Sequence, residues 1–473
     1  MPNLKSLARD TAIYGLSSII GRFLNYLLVP LYTAQMAAAS GGYGVITHLY
    51  ALTALLLILL TFGMETTFFR FANKEGEQPG RVFATALTGI SVVSLLFVAL
   101  VIVFIEPLSD LLGYAATPQY VWVMALTVAV DAFRSLPFAY LRLQKKALKF
   151  ASLQLLNIGV NIALNCVYYL LLDGHDPGYA FYINLVCSVL VTLCLWREIG
   201  TIRAGFDASL MRRMLSYSWP IAILGVAGIL NQVADKIMFP YIYKGADAQV
   251  QLGIYGACAK IAMIMAMITQ AFRYAYEPFV FGKTRDKDSD ETQAAAMKYF
   301  IIFTLLAFIC VVGWIDVLKY IIAPDYWEGL RVVPIVMAAE IMMGIYFNLS
   351  FWYKLEDKTI WGAVFSGIGC AVLIGVNVLF VPRYGYMACA WAGFAGYATA
   401  MVLSYAVGRR YHPIDYDLRS IALYVLATAL LFIVMTYGSR MLAPWLSVTA
   451  NTLLIAAFTA VIAKKEILRH KNS

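Results

Sequence analysis

The sequence predicts an all-α polytopic membrane protein with about 14 membrane-spanning helices, and three observations carry that expectation. Of 473 residues, 62% are hydrophobic and 13% charged, whereas a soluble domain carries about 25% charged residues. The mean hydropathy is +0.74. The apolar residues run in long stretches, and about 20 in a row suffice to cross the hydrocarbon core.

The spans fall near 11–38, 44–69, 83–105, 119–141, 149–172, 179–196, 217–240, 253–281, 298–322, 332–353, 359–381, 385–408, 418–437 and 444–463. Short connections join them, and the connections alternate in charge. One side holds 26 of the 36 Lys and Arg residues, Lys298, Lys354 and Lys358 among them; the other side holds 5. The last five, Arg22, Arg134, Lys236, Lys260 and Arg273, sit within spans. Basic loops stay in the cytoplasm, so both termini are expected there and the number of spans is even. The net charge of +9 then anchors loops at a membrane, and no nucleic-acid partner is expected. Met1 to Asp10 is short and mixed, and the run behind it reads as an uncleaved first span. The seven cysteines lie in or beside spans without a CxxC pair, so buried thiols are expected and no metal site.

Internal repetition organises the chain further. Tyr43-Gly44 and Tyr255-Gly256 are 212 residues apart, and so are Asn165 and Asn377. Six spans separate the copies, so the repeat is parallel, with two halves about a central site. Two pseudo-symmetric six-helix lobes, 1–202 and 217–410, are therefore expected around a central cavity. Residues 203–216 join them as a basic amphipathic helix at the cytoplasmic interface. Residues 411–473 hold spans thirteen and fourteen and a cytoplasmic end.

Charge inside a span is costly and marks either a satisfied pair or a functional cavity. Asp131 and Arg134 are spaced i, i+3, as are Arg22 and Asn25, and Arg273 and Glu277 are spaced i, i+4. Asp131 and Arg134 can pair on their own helix, or Arg134 can serve as a cavity cation. Arg22, Lys260 and Arg273 lie on the repeat-related helical pairs and read as cavity cations suited to an anionic substrate. Glu65 and Asp235 have no basic residue at i±3 or i±4, and with Glu277 they are the candidates for H+ or Na+ coupling. Lys236 neighbours Asp235 but points about 100° away around the helix. Asn157, Asn161 and Asn165 recur every four residues, the pattern of interhelical hydrogen bonding. The sequence holds no P-loop and no GxSxG, and its four histidines have no metal-ligand spacing. Catalysis is not expected, nor is a cofactor.

Several stretches resemble a known family. They are Gly21-Arg22 through Pro30, Tyr43-Gly44, Phe62-Gly63-Met64-Glu65 through Phe71, and Leu141-Arg142. Further on come Tyr217-Ser218-Trp219-Pro220, Asp235-Lys236, Gly253 through Lys260, Ala271-Phe272-Arg273 through Phe279, and Asn348 through Lys354. Their order over twelve spans is similar to that of polysaccharide/oligosaccharide-lipid flippases of the multidrug/oligosaccharidyl-lipid/polysaccharide exporter superfamily. The resemblance implies a two-lobed transporter in the bacterial inner membrane that moves undecaprenyl-pyrophosphate-linked oligosaccharide from the cytoplasmic to the periplasmic leaflet. The product would feed lipopolysaccharide, capsule or exopolysaccharide assembly, with a polymerase or ligase as partner and membrane lipid as surroundings. The family's cationic cavity would map to Arg22, Lys260 and Arg273, with Glu65, Asp235 and Glu277 nearby. The competing readings are a cation-coupled multidrug or lipid II-type exporter of the same superfamily, and a membrane glycan ligase or polymerase.

The charge asymmetry makes a direct prediction. A reporter fused after Ser473 should report the cytoplasm, and one inserted at 173–176 should report the periplasm; a C-terminal reporter active in the periplasm would refute the even-span topology.

Overall fold

Hydrocarbon offers a backbone polar group no partner, so a chain this apolar closes its hydrogen bonds inside each span, which a helix does locally. The computed structural model describes residues 20, 24, 26–200, 205–282, 289–355, 358–438 and 443–472. All regular secondary structure among them is helical. The main helices are α1 (Leu28–Gln35), α2 (Gly42–Thr61), α3 (Met64–Ala72), α4 (Pro79–Val103), α5 (Pro118–Leu143), α6 (Ala147–Cys166), α7 (Gly178–Cys194) and α8 (Ala208–Ile242). They continue with α9 (Ala248–Gly282), α10 (Ser289–Gly313), α11 (Val333–Leu349), α12 (Ile360–Tyr384), α13 (Tyr386–Tyr411), α14 (Leu418–Gly438) and α15 (Pro444–Asn472). Among the described residues twelve helical stretches are long and apolar enough to cross a membrane, and α7 is a shorter apolar helix where span six was expected. The span expected at 11–38 lies mostly outside the described residues; its last part forms α1.

The span expected at 44–69 is broken. Phe62 and Gly63 both take left-handed backbone angles, φ 47° and 66°. Gly63 does so without a side-chain penalty, and the break ends α2 and starts α3. The carbonyl that the break frees on Phe62 accepts a hydrogen bond from Ser218 Oγ of α8. Glu65 therefore stands in the first turn of α3, where the positive end of the helix dipole favours a carboxylate.

The amphipathic segment 203–216 is not a separate helix. Arg203 lies outside the described residues, and from Ala208 the segment is the start of the 35-residue α8. No breaker stands between Leu210 and Trp219, and Pro220 sits inside the helix without ending it. Asp207 starts α8 by accepting from Ser209 N (2.9 Å) and Leu210 N (3.0 Å), an N-cap. The bond from the Leu210 backbone, with that from Ser209 and the Arg81 guanidinium at 3.0 Å, holds its carboxyl below the ordinary range.

The chain forms two compact units, Met1–Gly253 and Ile254–Ser473. In the first, α8 lies against α2, α3 and α4, although the sequence placed it in the second lobe. Glycines open the way for it: a Cβ on Gly63 would come within 2.9 Å of Ile221 Cγ2, and one on Gly89 would strike the Met211 side chain. The N-terminus of α2 also meets the first turns of α9. A Cβ on Gly44 would collide with the Gln249 carbonyl oxygen, and one on Gly253 would lie 2.9 Å from Gly44 N. Elsewhere in the unit, Glu198 is buried and receives Lys149 Nζ from α6 at 2.7 Å.

In the second unit α12 and α13 meet through Gly369 and Gly396, where a Cβ on either would stand 2.8 Å from the other's carbonyl oxygen. Such small-residue contacts are how helices adhere where lipid is as apolar as their side chains. The repeat seen in the sequence recurs in the local chemistry of the two units. Asn165 and Asn377 are both buried, and each returns its Nδ2 to the carbonyl four residues back, Asn161 O at 2.7 Å and Leu373 O at 2.9 Å. Tyr43 and Tyr255 are both buried as well.

The last two helices, outside the repeat, are held onto α10. Asn451 Nδ2 donates to Gly313 O (3.0 Å), and Trp314 Nε1 donates to Thr452 Oγ1 (3.1 Å). Lys298, expected as a loop anchor, is buried in α10 with its Nζ 2.6 Å from Glu466 and 3.6 Å from Asp417. Tyr424 OH also donates to Glu466. The expected span began at Lys298, but α10 begins at Ser289, because Asp290 and Glu291 suit a helix N-terminus. Lys298→Met removes the counter-charge of the buried Glu466 carboxylate and should cost about 3–5 kcal/mol, whereas Lys298→Met/Glu466→Met should recover most of it. Thermal unfolding of the purified protein in detergent measures both; a double variant no better than the single would show that the pair is not the cause.

Candidate functional site

Several charges that the sequence nominated are answered by neighbours. Arg134 Nε lies 2.8 Å from Asp131 Oδ1, and its Nη1 donates to Asn157 Oδ1 at 3.3 Å. The asparagine row on α6 continues this network, as Asn165 Oδ1 accepts from Tyr32 OH at 2.9 Å. Glu65 is met by Arg142 of α5, and the Arg142 guanidinium lies over Phe69 (5.1 Å) and Phe150 (5.8 Å). Scanning i±3 and i±4 could not find this partner, because it comes from another helix. Asp235 is buried, and Lys236 does not point away from it: Nζ lies 3.1 Å from the carboxylate and 3.1 Å from Gln232 O. Four methylenes let the ammonium fold back over its neighbour, whatever the direction of its Cβ. Arg22 and the Glu277 side chain lie outside the described residues.

Lys260 and Arg273 both belong to α9 and are half-buried. Thirteen residues in a regular helix separate them by about 20 Å and about 140° of rotation. The helix therefore does not present them as one stripe.

Arg273 lines a cleft inside the second unit. From α9 come Thr269, Phe272, Arg273 and Tyr276; from α11 and the turn after it come Gly344, Phe347, Asn348 and Phe351. Both sets have the spacing i, i+3, i+4, i+7, one face of a helix. Phe300 of α10 and Lys354 complete the lining, and the free space is about 280 Å³ including the part open to the surroundings. None of these ten residues is acidic. The rings pack on one another, Phe272 to Phe300 at 4.7 Å and Tyr276 to Phe351 at 5.4 Å. Gly344 lets Phe300 in, since a Cβ there would strike its ring. The Arg273 guanidinium sits 4.9 Å from the centre of the Phe347 ring, and Lys354 Nζ 5.0 Å from that of Phe351, cation–π distances that fix both charged ends. Two stretches singled out in the sequence, 271–279 and 348–354, thus meet in one place. The place of Lys354 in this cleft was not foreseen because it was counted among the loop cations; the matched spacing on two aromatic helices was the available signal.

Known proteins share both the sequence and the fold. Residues 7–275 match the family described as polysaccharide biosynthesis protein. The chain belongs to that family. Protein 1 of the Lsg locus of Haemophilus influenzae is 21% identical over 328 residues, covering 67% of this chain and 77% of that protein. Among solved structures, the lipid II flippase MurJ in an inward closed conformation superposes with a TM-score of 0.74 at 15% identity, covering 97% of this chain and all of that one. An inward-facing multidrug resistance MATE family transporter of the MOP superfamily gives 0.67 at 14% identity, over 85% and 94% of the two chains. The chain shares the fold of these two transporters, as the resemblance implied, and is a multi-pass membrane protein.

The Asp131–Arg134 pair and the exposed Arg70 separate structural from peripheral charge. Arg134→Leu leaves the half-buried Asp131 carboxylate without its counter-charge and should destabilise by about 1–3 kcal/mol. Arg70→Leu removes a contact over the Tyr217 ring at 4.0 Å and should cost about 0.5–1 kcal/mol. Equal losses in detergent unfolding would contradict the structural role of Arg134.

Proposed function

We propose that the protein is a flippase carrying a lipid-linked oligosaccharide from the cytoplasmic to the periplasmic leaflet of the bacterial inner membrane, with both termini cytoplasmic. Its family concerns polysaccharide biosynthesis, which supports a glycan cargo. The observation that supports the reading is the cleft around Arg273 and Lys354, whose described lining residues include no acid, because a cationic lining suits an anionic diphosphate better than a cationic drug. Arg22 and Lys260 serve as further cations along the route, and Arg134 is set aside as the partner of Asp131. A polysaccharide polymerase or ligase acts on the cargo after transport.

Coupling to H+ or Na+ is proposed at Asp235, with Glu277 as a second candidate. Asp235 is a buried carboxylate within a membrane-spanning helix. Glu65, which like Asp235 has a basic partner, is the weaker candidate because it is half-exposed.

In a deletion strain, Arg273→Ala should fail to restore surface polysaccharide, with activity down about tenfold or more, while lipid-linked intermediate accumulates on the cytoplasmic leaflet. Arg331→Ala, which removes an exposed charge paired with Glu328, should restore it. Normal polysaccharide from an Arg273→Ala protein expressed at wild-type level would overturn the reading.

A further inference from the structure

The crossing of α2 with the first turns of α9 carries a buried titratable group that the flippase reading does not use. His48 lies one turn beyond Gly44 on the same face of α2, at 0% exposure. Its Nδ1 is 2.8 Å from Tyr114 OH, in the turn before α5. Gln249 Nε2 of α9 reaches the same hydroxyl at 3.5 Å. The ring also meets the Ile237 backbone of α8, its Nε2 without a well-formed hydrogen bond. The rings of Tyr114 and Tyr241 pack on the imidazole, each at 5.8 Å. Four stretches of the first unit thus converge on one side chain. No charged group meets it there. Asp235 of α8 is paired with Lys236 at 3.1 Å, and Asp176 lies beyond Tyr114, on the hydroxyl of Tyr120 at 2.6 Å. Asp247 ahead of α9 receives Gln251 Nε2 at 3.0 Å, and Glu106 and Asp110, ahead of Tyr114, are exposed.

We propose that His48, Tyr114 and Gln249 form a proton-operated latch on this crossing: the uncharged ring holds α2 and the start of α9 together, and a proton on it parts them. The order of donors carries the argument. Gln249 Nε2 donates to the Tyr114 hydroxyl, whose own hydrogen goes to His48 Nδ1, so the uncharged ring keeps its hydrogen on Nε2. A proton on Nδ1 turns that atom into a donor. The Tyr114 hydroxyl then faces two donors, and its hydrogen has no acceptor until the amide turns over or leaves. Gln249 Oε1, the acceptor it would need, is buried without a partner. The charge itself is unanswered, since Tyr114, Tyr241 and Gln249 are neutral. A buried charge without a counter-charge costs several times what one hydrogen bond contributes. Separation admits water to the ring and removes that cost. The closed crossing therefore binds fewer protons than the separated one, and a falling pH shifts the balance toward separation. Little else opposes it, because Gly44 lies directly against the Gln249 carbonyl with no side chain between them. The charge of the loops puts this end of α2 on the side expected to face the periplasm. The latch does not depend on which cargo the protein carries.

The test uses the full-length protein in nanodiscs, with the exposed Cys194 and Cys310 replaced by alanine. Spin labels are placed by Ala39→Cys and Ala246→Cys, at exposed positions ahead of α2 and α9. Pulsed electron paramagnetic resonance reads the distance between them at about pH 8 and about pH 5, on either side of the ordinary imidazole range. The separated population should rise as the pH falls, by up to about tenfold per pH unit for a one-proton process. His48→Gln and His48→Leu cannot take a proton and should show no such rise; either one that folds suffices. Tyr114→Phe keeps the ring but removes its partner, and should separate more than wild type at about pH 8; equal separation would break the chain that the latch needs. Asp235→Asn should keep the rise, and its loss there would assign the pH response to Asp235 instead. A wild-type distance that ignores pH, or a rise that persists without His48, would refute the latch.

Discussion

A carboxylate carried into hydrocarbon without a counter-charge is too costly to keep, and this constraint decides which helices of the protein are neighbours. Apolar side chains cannot make that decision alone, because lipid tails are as apolar as leucine. Glu198 draws Lys149, and with it α6, to the end of α7. Glu466 draws Lys298, and so fastens α15 and α14 to α10. Glu65 meets Arg142 and joins the short α3 to α5. Each pair takes its acid and base from different helices, so each contact specifies a partner as well as an orientation. Close glycine contacts then set how near the backbones come, as at Gly369 and Gly396.

The same constraint sorts the charges of the chain by role. Arg134 answers Asp131 at 2.8 Å and is occupied in holding the first unit. Arg273 and Lys354 are presented differently, each with its charged end over an aromatic face in a cleft whose described lining residues include no acid.

The architecture was legible in the sequence because it rests on quantities that the sequence carries directly: length and apolarity of spans, charge of loops, and an offset of 212 residues between Asn165 and Asn377. The family was legible for a similar reason, since motifs such as 62–71 and 271–279 survive as short strings. Partners across helices were not. The bond from Arg142 to Glu65 joins residues 77 apart, and no spacing rule reaches that far. Lys298 was misassigned because the start of α10 depends on the acidic turn ahead of it, not on the apolar run. Lys354 was overlooked because a loop cation and a cleft cation look the same until the facing helix is known. The break at Phe62–Gly63 needed a left-handed Phe, which no propensity favours.

The crossing of α2 with the start of α9 is almost bare of side chains. Gly44 lies against the Gln249 carbonyl and Gly253 against the Gly44 amide. Helices that pack by interlocking side chains resist sliding, since each knob must leave its hole. Two backbones in direct contact have no knobs there. Such a crossing behaves like a plain bearing, close enough to exclude a lipid tail yet without teeth to hold one register.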